Sequence, residues 1–346
     1  MLAGWDFDSN LIVQALKTLR MPNPSLDLSN ACNLNCPYCF IEEKNSERKA
    51  RRPYELSIDE TFAILEDFVA AGALTVNLVG AGEPTVDPHF EAIISRIAEL
   101  GLTTVLFSNG IAIAEKPLLA DFLFQHRVTI VLKFNSFDAT VQDLVAGRTS
   151  YTVLRDKALV SLQKCGFAKS SPTRLGLDTV AVQGNLHELP QLQKFCRENN
   201  LFPIIADYIP AGRTDAGVFQ GHAAISAAKS GQETMVAELL QPLQPQQRIT
   251  LRNSLKNVDK SFGIVSQGQC AYFSGAACTQ TLGVYVDILG NIWPCVAKQQ
   301  LGIGRIPLGS IRSGDKPSAI WKQHPTLTRI RDGFSGNCPY KTALAF

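Results

Sequence analysis

The sequence predicts an α/β fold: a partial (β/α)6 barrel of the TIM type, followed by a small C-terminal module that contains a β-hairpin. From Leu26 onward, short apolar or β-branched runs alternate with longer amphipathic segments, and this alternation stops after Pro210. Strands that alternate with helices build a parallel sheet. About six such units are present, fewer than the eight of a closed barrel. An open barrel is therefore expected.

The elements of this barrel follow from the same pattern. The predicted strands are Leu26–Ser29, Leu74–Val79, Thr103–Phe107, Val128–Phe134, Leu175–Val182 and Pro203–Tyr208. The predicted helices are Leu11–Leu19, Ser57–Ala71, Pro88–Leu100, Lys116–Gln125, Tyr151–Cys165, Leu186–Asn199 and a helix near Gln232–Leu240. Ser57 and Glu60 have the spacing of a capping box, and Asn185 is expected to cap the helix that follows it.

The C-terminal module has a hairpin signal. Leu282–Leu289 alternates in polarity, Gly290-Asn291 predicts the turn, and Ile292 begins the return strand. Pro242 and Pro245 predict a linker before this module. We therefore divide the chain into an N-terminal extension (1–25), a barrel core (26–220), a helical linker (221–261) and the C-terminal module (262–346).

Composition sets limits on the function. A net charge of +2 over 346 residues implies no nucleic-acid or membrane partner. No apolar run reaches the roughly 18 residues of a membrane span, and no signal peptide is visible at the N-terminus. A cytoplasmic location is expected. Nine cysteines in a reducing compartment indicate metal or redox chemistry before disulfides.

Three cysteines, Cys32, Cys36 and Cys39, follow the first predicted strand with C-x3-C-x2-C spacing. Asn33, Asn35 and Pro37 suit the tight backbone that such a loop needs. Three cysteines without a nearby fourth would leave one iron of a [4Fe–4S] cluster open for an outside ligand. The alternatives are a zinc site or three unrelated buried thiols.

This spacing, with the aromatic Tyr38 before the third cysteine, resembles the radical S-adenosylmethionine (SAM) superfamily. The resemblance implies that the open iron binds the amino and carboxylate groups of SAM. Gly80-Ala81-Gly82-Glu83-Pro84 is similar to the Gly-Gly-Glu motif of that family, in which the glutamate contacts the SAM ammonium. The other SAM-binding positions that the resemblance implies are Ser108, Asn109, Asn135, Ser136, Arg148 and Val182.

A second cysteine set lies near the C-terminus. Cys278, Gly290 and Cys295 resemble the C-x9-15-G-x4-C signature of SPASM and twitch auxiliary-cluster domains. With Cys270 and Cys338 they imply one auxiliary [4Fe–4S] cluster, in which Cys338 is either the last ligand or leaves an iron open for substrate. The alternatives are core thiols or a zinc site. Cys165 and Cys196 are expected in the core.

The resemblance implies that a reduced cluster and SAM generate a 5′-deoxyadenosyl radical that abstracts hydrogen from a substrate. The leading hypothesis is a maturase of a ribosomally synthesised peptide that forms a cross-link, or rearranges or excises part of the backbone. It would require an external electron donor and a separate leader-recognition protein. Contacts to acidic leader residues are expected from a basic group, with a solvated loop as the alternative: Lys44, Arg48, Lys49, Arg51 and Arg52. Substrate contacts are expected from Asp207, Tyr208 and Arg213, with a structural role as the alternative for Asp207 and Tyr208.

Two other classes remain open at this point. One is a small-molecule radical SAM dehydrogenase of an aminocyclitol or sugar in antibiotic biosynthesis. The other is an iron–sulfur electron carrier, which would have no need for the SAM motifs.

Overall fold

The computed structural model describes residues 1–39, 53–208, 233–265, 272–279, 282–296 and 306–333. Its strands are Ser25–Leu26 (β1), Thr75–Leu78 (β2), Thr103–Ser108 (β3), Thr129–Lys133 (β4), Leu175–Ala181 (β5), Phe202–Asp207 (β6), Tyr285–Val286 (β7), Asn291–Trp293 (β8) and Gly309–Ser310 (β9). Its helices are Ser9–Lys17 (α1), Ile58–Ala70 (α2), Phe90–Glu99 (α3), Ile111–Glu115 (α4), Leu119–Gln125 (α5), Ala139–Ala146 (α6), Tyr151–Cys165 (α7), Leu189–Glu198 (α8), Glu233–Leu239 (α9), Pro245–Ser261 (α10), Pro317–Gln323 (α11) and Pro325–Asp332 (α12).

The strands form one sheet in the order β6-β5-β4-β3-β2-β1-β7-β8-β9. Strands β1 to β6 are parallel to their neighbours, which confirms the predicted six-stranded partial barrel. On the other side of β1, β7 is also parallel, whereas β8 and β9 continue as an antiparallel extension. The C-terminal hairpin is therefore joined directly to the first barrel strand by backbone hydrogen bonds.

The two faces of the sheet bury different sets of residues. On the convex face, Ile130, Leu132 and Leu177 belong to the main core together with residues of the helices. On the concave face, Val105 and Val131 pack with a smaller apolar cluster that includes Leu2 and Trp5 of the N-terminal segment. Because side chains alternate along a strand, every second residue of β4 and β5 faces the inside of the barrel.

The local signals agree with these elements in most places. Helix α7 has the predicted bounds, and Ser57 and Glu60 form the reciprocal hydrogen bonds of a capping box. Gly290 adopts φ +83° at the hairpin turn, a conformation that L side chains rarely adopt, so glycine suits this position. None of the described helices combines the length and apolar character needed to cross a membrane.

Two local expectations need correction. Asn185 does not cap α8, because it ends a 3-10 turn over Gln183–Asn185 and the helix begins only at Leu189. Pro245 begins the 17-residue helix α10, inside the region 221–261 that the sequence predicts as a helical linker. Proline is compatible with the first turn of a helix, where no backbone donor is needed. The short helices α4 and α6 also lie where the sequence pattern predicted none.

Candidate functional site

The cysteine loop follows β1 at the carboxyl end of the parallel strands, the edge where barrel active sites form. The Cys39 amide donates to the Cys36 carbonyl oxygen at 3.2 Å, and the Asn35 amide donates to the Ala146 carbonyl oxygen at 3.2 Å. A Cβ atom on Gly147 would lie 2.1 Å from the Asn35 carbonyl oxygen, so only glycine allows α6 to end this close to the loop. The loop is therefore held by its backbone.

The three thiols of this loop are partly exposed. Burial raises the pKa of the Cys32 thiol, and the neighbouring Cys36, Glu83 and Cys39 raise it further. Within the described residues, no three His, Cys, Asp or Glu side chains come close enough to share one metal ion. The three thiols therefore do not form a compact single-ion site as they lie. Their fit to an iron–sulfur cluster rests on their donor chemistry. The three cysteines lie on one loop, and as thiolates, which repel one another, each can bind a different iron.

Glu83 is the most heavily hydrogen-bonded of the predicted site residues. Its Oε1 accepts from Thr85 Oγ1 at 2.7 Å and from Ser108 Oγ at 2.8 Å, and its Oε2 accepts from the Asn109 amide at 2.7 Å. Burial raises the pKa of the Glu83 carboxyl, while these hydrogen bonds lower it. A buried carboxylate held in one orientation is suited to bind a cationic group brought by a ligand.

The two glycines before Glu83 allow a close backbone approach. A Cβ atom on Gly80 would lie 2.4 Å from Cγ of Asp27, and one on Gly82 would lie 2.2 Å from the Ala31 carbonyl oxygen. The Glu83 amide donates to that same Ala31 oxygen at 2.8 Å. The motif after β2 is thus packed directly against the chain that leads into the cysteine loop.

The asparagines Asn33 and Asn109 connect the cysteine loop to the end of β3. Asn109 Nδ2 donates to Asn33 Oδ1 at 2.7 Å. Arg148 Nη1 donates to the Asn33 carbonyl oxygen at 3.2 Å, and its Nη2 lies 4.0 Å from a Glu115 carboxylate oxygen. Arg148 therefore reaches the loop, where the sequence predicted it, while its guanidinium also contacts protein groups.

The segment after β4 is held by three helices. Ser136 Oγ donates to Glu188 Oε1 at 2.7 Å, and the Phe137 amide donates to Glu188 Oε2 at 2.6 Å. The buried Gln142 accepts from the Asn135 and Ser136 amides, and the buried Arg155 donates to the Ser136 carbonyl oxygen at 2.7 Å. The Ser136 hydroxyl donates its only hydrogen to Glu188. A ligand that hydrogen-bonds this hydroxyl would therefore have to be the donor.

Tyr38 brings the cysteine loop to this same segment. Its hydroxyl accepts from Asn135 Nδ2 at 3.1 Å. Burial raises the pKa of Tyr38 well above its usual range, and the neighbouring Cys36 raises it further, so the phenol stays neutral. The structure thus brings together Cys32, Cys36, Cys39, Tyr38, Glu83, Ser108, Asn109, Asn135, Ser136 and Arg148 at one edge of the barrel.

Three predicted positions, Val182, Asp207 and Tyr208, make packing or ion-pair contacts, and Tyr38 packs against the cluster that holds Val182 and Tyr208. Val182 is buried in a small apolar cluster with Val145, Tyr208 and residues of α9. Asp207, named above as a peptide contact, forms an ion pair with Arg248 of α10 at 3.1 Å. Tyr208 and Asp207 therefore contribute to packing of the helices that follow the barrel.

The sequence reasoning missed several residues at this edge. Gln142, Arg155 and Glu188 support the segment after β4, and Lys133 forms an ion pair with Asp178 at 2.7 Å on the concave face. A lysine and an aspartate at inward positions of otherwise apolar strands were a visible signal. The contacts of Glu188 were not visible, because they depend on how α8 packs.

A cavity of about 510 Å³ adjoins Asn33. It is lined by Asn33, residues 85–88 after Glu83, Phe90 and Glu91 of α3, and Ala112, Glu115 and Lys116. Asn33 is shared with the site above, but none of the predicted SAM-binding residues lines it. We therefore treat this cavity as separate from the predicted cofactor site.

The second cysteine set is described only in part. Cys278 and Cys295 are both buried in the main core. The Tyr285 hydroxyl, on β7 of the hairpin, donates to Asp27 Oδ2 at 3.2 Å. Asp27 Oδ2 also accepts from the Ala81 amide at 3.1 Å. Cys270, Cys338, Arg213 and the predicted basic residues Lys44, Arg48, Lys49, Arg51 and Arg52 lie outside the described residues.

Comparison with known proteins finds similarity over the barrel. The Radical SAM superfamily model matches residues 26–179. The "PqqA peptide cyclase" of Methylorubrum extorquens (strain PA1) is 32% identical over 170 residues, 47% of this chain and 40% of that protein. The "S-adenosylmethionine-dependent nucleotide dehydratase" of Flammeovirga pacifica is 26% identical over 176 residues, 49% of this chain and 56% of that protein. This chain thus spans about half the length of these relatives.

A solved structure extends the similarity of fold beyond the matched range. Streptococcus suis SuiB bound to precursor peptide SuiA aligns with a TM-score of 0.60 at 17% identity, over 94% of this chain and 70% of SuiB. At this identity the alignment supports the fold alone: a partial barrel followed by a C-terminal extension of the sheet.

Proposed function

The chain belongs to the radical SAM superfamily through residues 26–179, and we propose that it is a maturase of a ribosomally synthesised peptide. The observation that carries the radical SAM part of the proposal is the linkage of the cysteine loop to Glu83 through the Asn33–Asn109 hydrogen bond at 2.7 Å. It keeps three thiols and a buried carboxylate in fixed relation at the carboxyl edge of the barrel.

Different residues would hold different parts of the cofactor. Cys32, Cys36 and Cys39 would hold the cluster, and Glu83 would bind the ammonium of SAM. Ser136 would accept from a ribose hydroxyl. When bound, a reduced [4Fe–4S] cluster and SAM supply a 5′-deoxyadenosyl radical. The chain itself orients the ligand, keeps Glu83 available as a charge partner, and excludes water through the apolar residues around the loop.

The peptide assignment is supported by two similarities. The relative at 32% identity is named for a peptide substrate, and the solved SuiB structure holds a precursor peptide. A separate leader-recognition protein and an external electron donor belong to the same proposal. So does an auxiliary [4Fe–4S] cluster on Cys278 and Cys295 with Cys270 and Cys338, which would transfer electrons or bind substrate.

The test is anaerobic reconstitution followed by reaction with SAM and dithionite. We expect 5′-deoxyadenosine in the product mixture and its loss in Cys36→Ala. Candidate precursor peptides from neighbouring genes, nucleotides and aminocyclitols are then compared by mass spectrometry. A mass change in a peptide supports the maturase, whereas modification of a nucleotide or aminocyclitol alone would refute it. Absence of 5′-deoxyadenosine from the wild-type reaction would refute the radical SAM activity itself.

A further inference from the structure

Lys133 and Asp178 form an ion pair inside the barrel. They are direct cross-strand partners on β4 and β5, and Lys133 Nζ lies 2.7 Å from Asp178 Oδ2. Val131, two residues before Lys133, packs on the concave face, whereas Leu132 and Leu177 pack against the helices. The alternation of side chains therefore directs both members of the pair inward, at the carboxyl end of β4.

The pair lies next to the cysteine loop. Lys133 Nζ is 5.2 Å from the centroid of the Tyr38 ring, and Tyr38 stands between Cys36 and Cys39. Deeper on the same face, Trp5 and Phe107 are in edge-on contact at 5.2 Å between ring centroids. The pair thus separates an apolar floor from the site of the proposed chemistry.

Stability alone does not explain this pair. Two charges that are taken out of water lose hydration free energy, and their mutual attraction offsets only part of this loss. A protein with apolar side chains of similar volume in place of such a pair is often equally stable. The side chains of Lys133 and Asp178 keep 19% and 21% of their accessible surface, so both can still be reached. An ammonium has three donors, and within the described residues the only hydrogen bond of this one goes to Asp178. Asp178 Oδ1 accepts none from the described residues.

The geometry restricts the ligand. An anion drawn to Lys133 would be repelled by Asp178, and a cation drawn to Asp178 would be repelled by Lys133. A neutral group that presents an acceptor beside a donor satisfies both. One residue of an extended peptide has this arrangement, because its own N–H and C=O point to the same side of the chain. Its carbonyl oxygen can then face the ammonium while its N–H faces the carboxylate. The apolar floor favours an amide over a polyol, because the remaining hydroxyls of a polyol would lose their hydration there.

We propose that Lys133 and Asp178 bind the backbone C=O and N–H of one extended residue of the peptide substrate beneath the SAM site. This proposal rests on the proposed function and adds the substrate contact to it. It makes the pair a binding site that fixes which residue of the peptide is presented to the reacting carbon.

The experiment uses N-acetyl-leucine N′-methylamide as the probe and myo-inositol as the polyol comparison. Their affinities for the anaerobically reconstituted protein with SAM are measured by saturation-transfer NMR. The variants are Asp178→Asn and the neutral double variant Lys133→Gln/Asp178→Asn. The double variant is included because removal of one charge alone can unfold the chain. Lys157→Met, on the exposed surface of α7, is the matched control.

We expect the amide to bind about tenfold more weakly to both site variants than to wild type and Lys157→Met, the loss typical of a hydrogen bond to a charged group. SAM affinity, measured by calorimetry on the same samples, should be unchanged. Equal amide affinity in all four proteins, no amide binding to wild type, or tighter binding of inositol would overturn the amide site. Failure of wild type to bind SAM would instead refute the proposed function.

Discussion

Removal of the Glu188 carboxylate is expected to loosen the segment that carries Ser136. Glu188 is buried and accepts two short hydrogen bonds, from the Ser136 hydroxyl at 2.7 Å and from the Phe137 amide at 2.6 Å. Glu188→Ala leaves both donors without their acceptor. A buried donor left unsatisfied costs about 1–3 kcal/mol, so with two such donors the free energy of unfolding should fall by about 2–6 kcal/mol.

Glu188→Gln removes the negative charge but keeps side-chain groups that can form both hydrogen bonds. Its amide oxygen can still accept from the Phe137 amide, and its NH2 group can donate to Ser136 if the hydroxyl rotates. We expect a loss of about 1 kcal/mol, because charge is removed but pairing is kept. The SAM affinity should fall more in Glu188→Ala than in Glu188→Gln. The reason is that the Ser136 hydroxyl, without its acceptor, is no longer held in one orientation.

The assay is urea unfolding of each variant, followed by circular dichroism, with SAM affinity measured by calorimetry. Glu198→Ala on the same helix is the control, since Glu198 is half exposed and its ion pair with Lys194 spans 3.6 Å. Such surface pairs contribute about 0.5 kcal/mol or less. If Glu188→Ala were no more destabilising than Glu198→Ala, the support of the Ser136 segment by α8 would be refuted.

Three further outcomes are expected. Reconstituted protein should bind about eight irons and eight sulfides per chain, and Cys36→Ala about four of each, by colorimetric assay; a wild-type count of four would remove the auxiliary cluster. Tyr285→Phe should lower the free energy of unfolding by about 1–2 kcal/mol in urea, because the Asp27 carboxylate loses the hydroxyl that donates to it; an unchanged midpoint would contradict this. Burial raises the pKa of Cys196 to about 12, so native protein at pH 8.5 should keep it as an unreactive thiol. Iodoacetamide should label Cys165 faster because that thiol is partly exposed, although desolvation and the Asp121 carboxylate raise its pKa as well. Peptide mass spectrometry measures both, and equal labelling would contradict the burial.

The barrel could be predicted from the sequence because its signals are local. Apolar runs such as Val128–Phe134 and the capping box of Ser57 depend on neighbouring residues, and both correspond to observed elements. The motif residue Glu83 was equally accessible, since its place after a strand follows from the pattern. Asn185 was misassigned, because its side chain is used in the tertiary structure: it donates to the Asn135 carbonyl oxygen at 2.8 Å and accepts from the Val182 amide at 3.0 Å.

What the sequence could not provide is the relation between the two cysteine regions, which depends on β1. This strand has only two residues, yet it pairs with β2 on one side and with β7 on the other. Asp27, directly after it, accepts from the Ala81 amide of the glycine motif and from the Tyr285 hydroxyl of the C-terminal hairpin. Gly80 is required at this point because any Cβ there would meet the Asp27 carboxylate.

One buried carboxylate thus fixes the motif that carries Glu83 and the hairpin that leads to Cys295. A displacement of the hairpin would move Tyr285 and Val286, then Asp27, then the backbone before Glu83, because hydrogen bonds in a packed interior link each to the next. The arrangement of the C-terminal module therefore affects the geometry of the SAM-binding motif. Glu83 and Tyr285 are 202 residues apart in the sequence, and the regions that carry them are linked through Asp27.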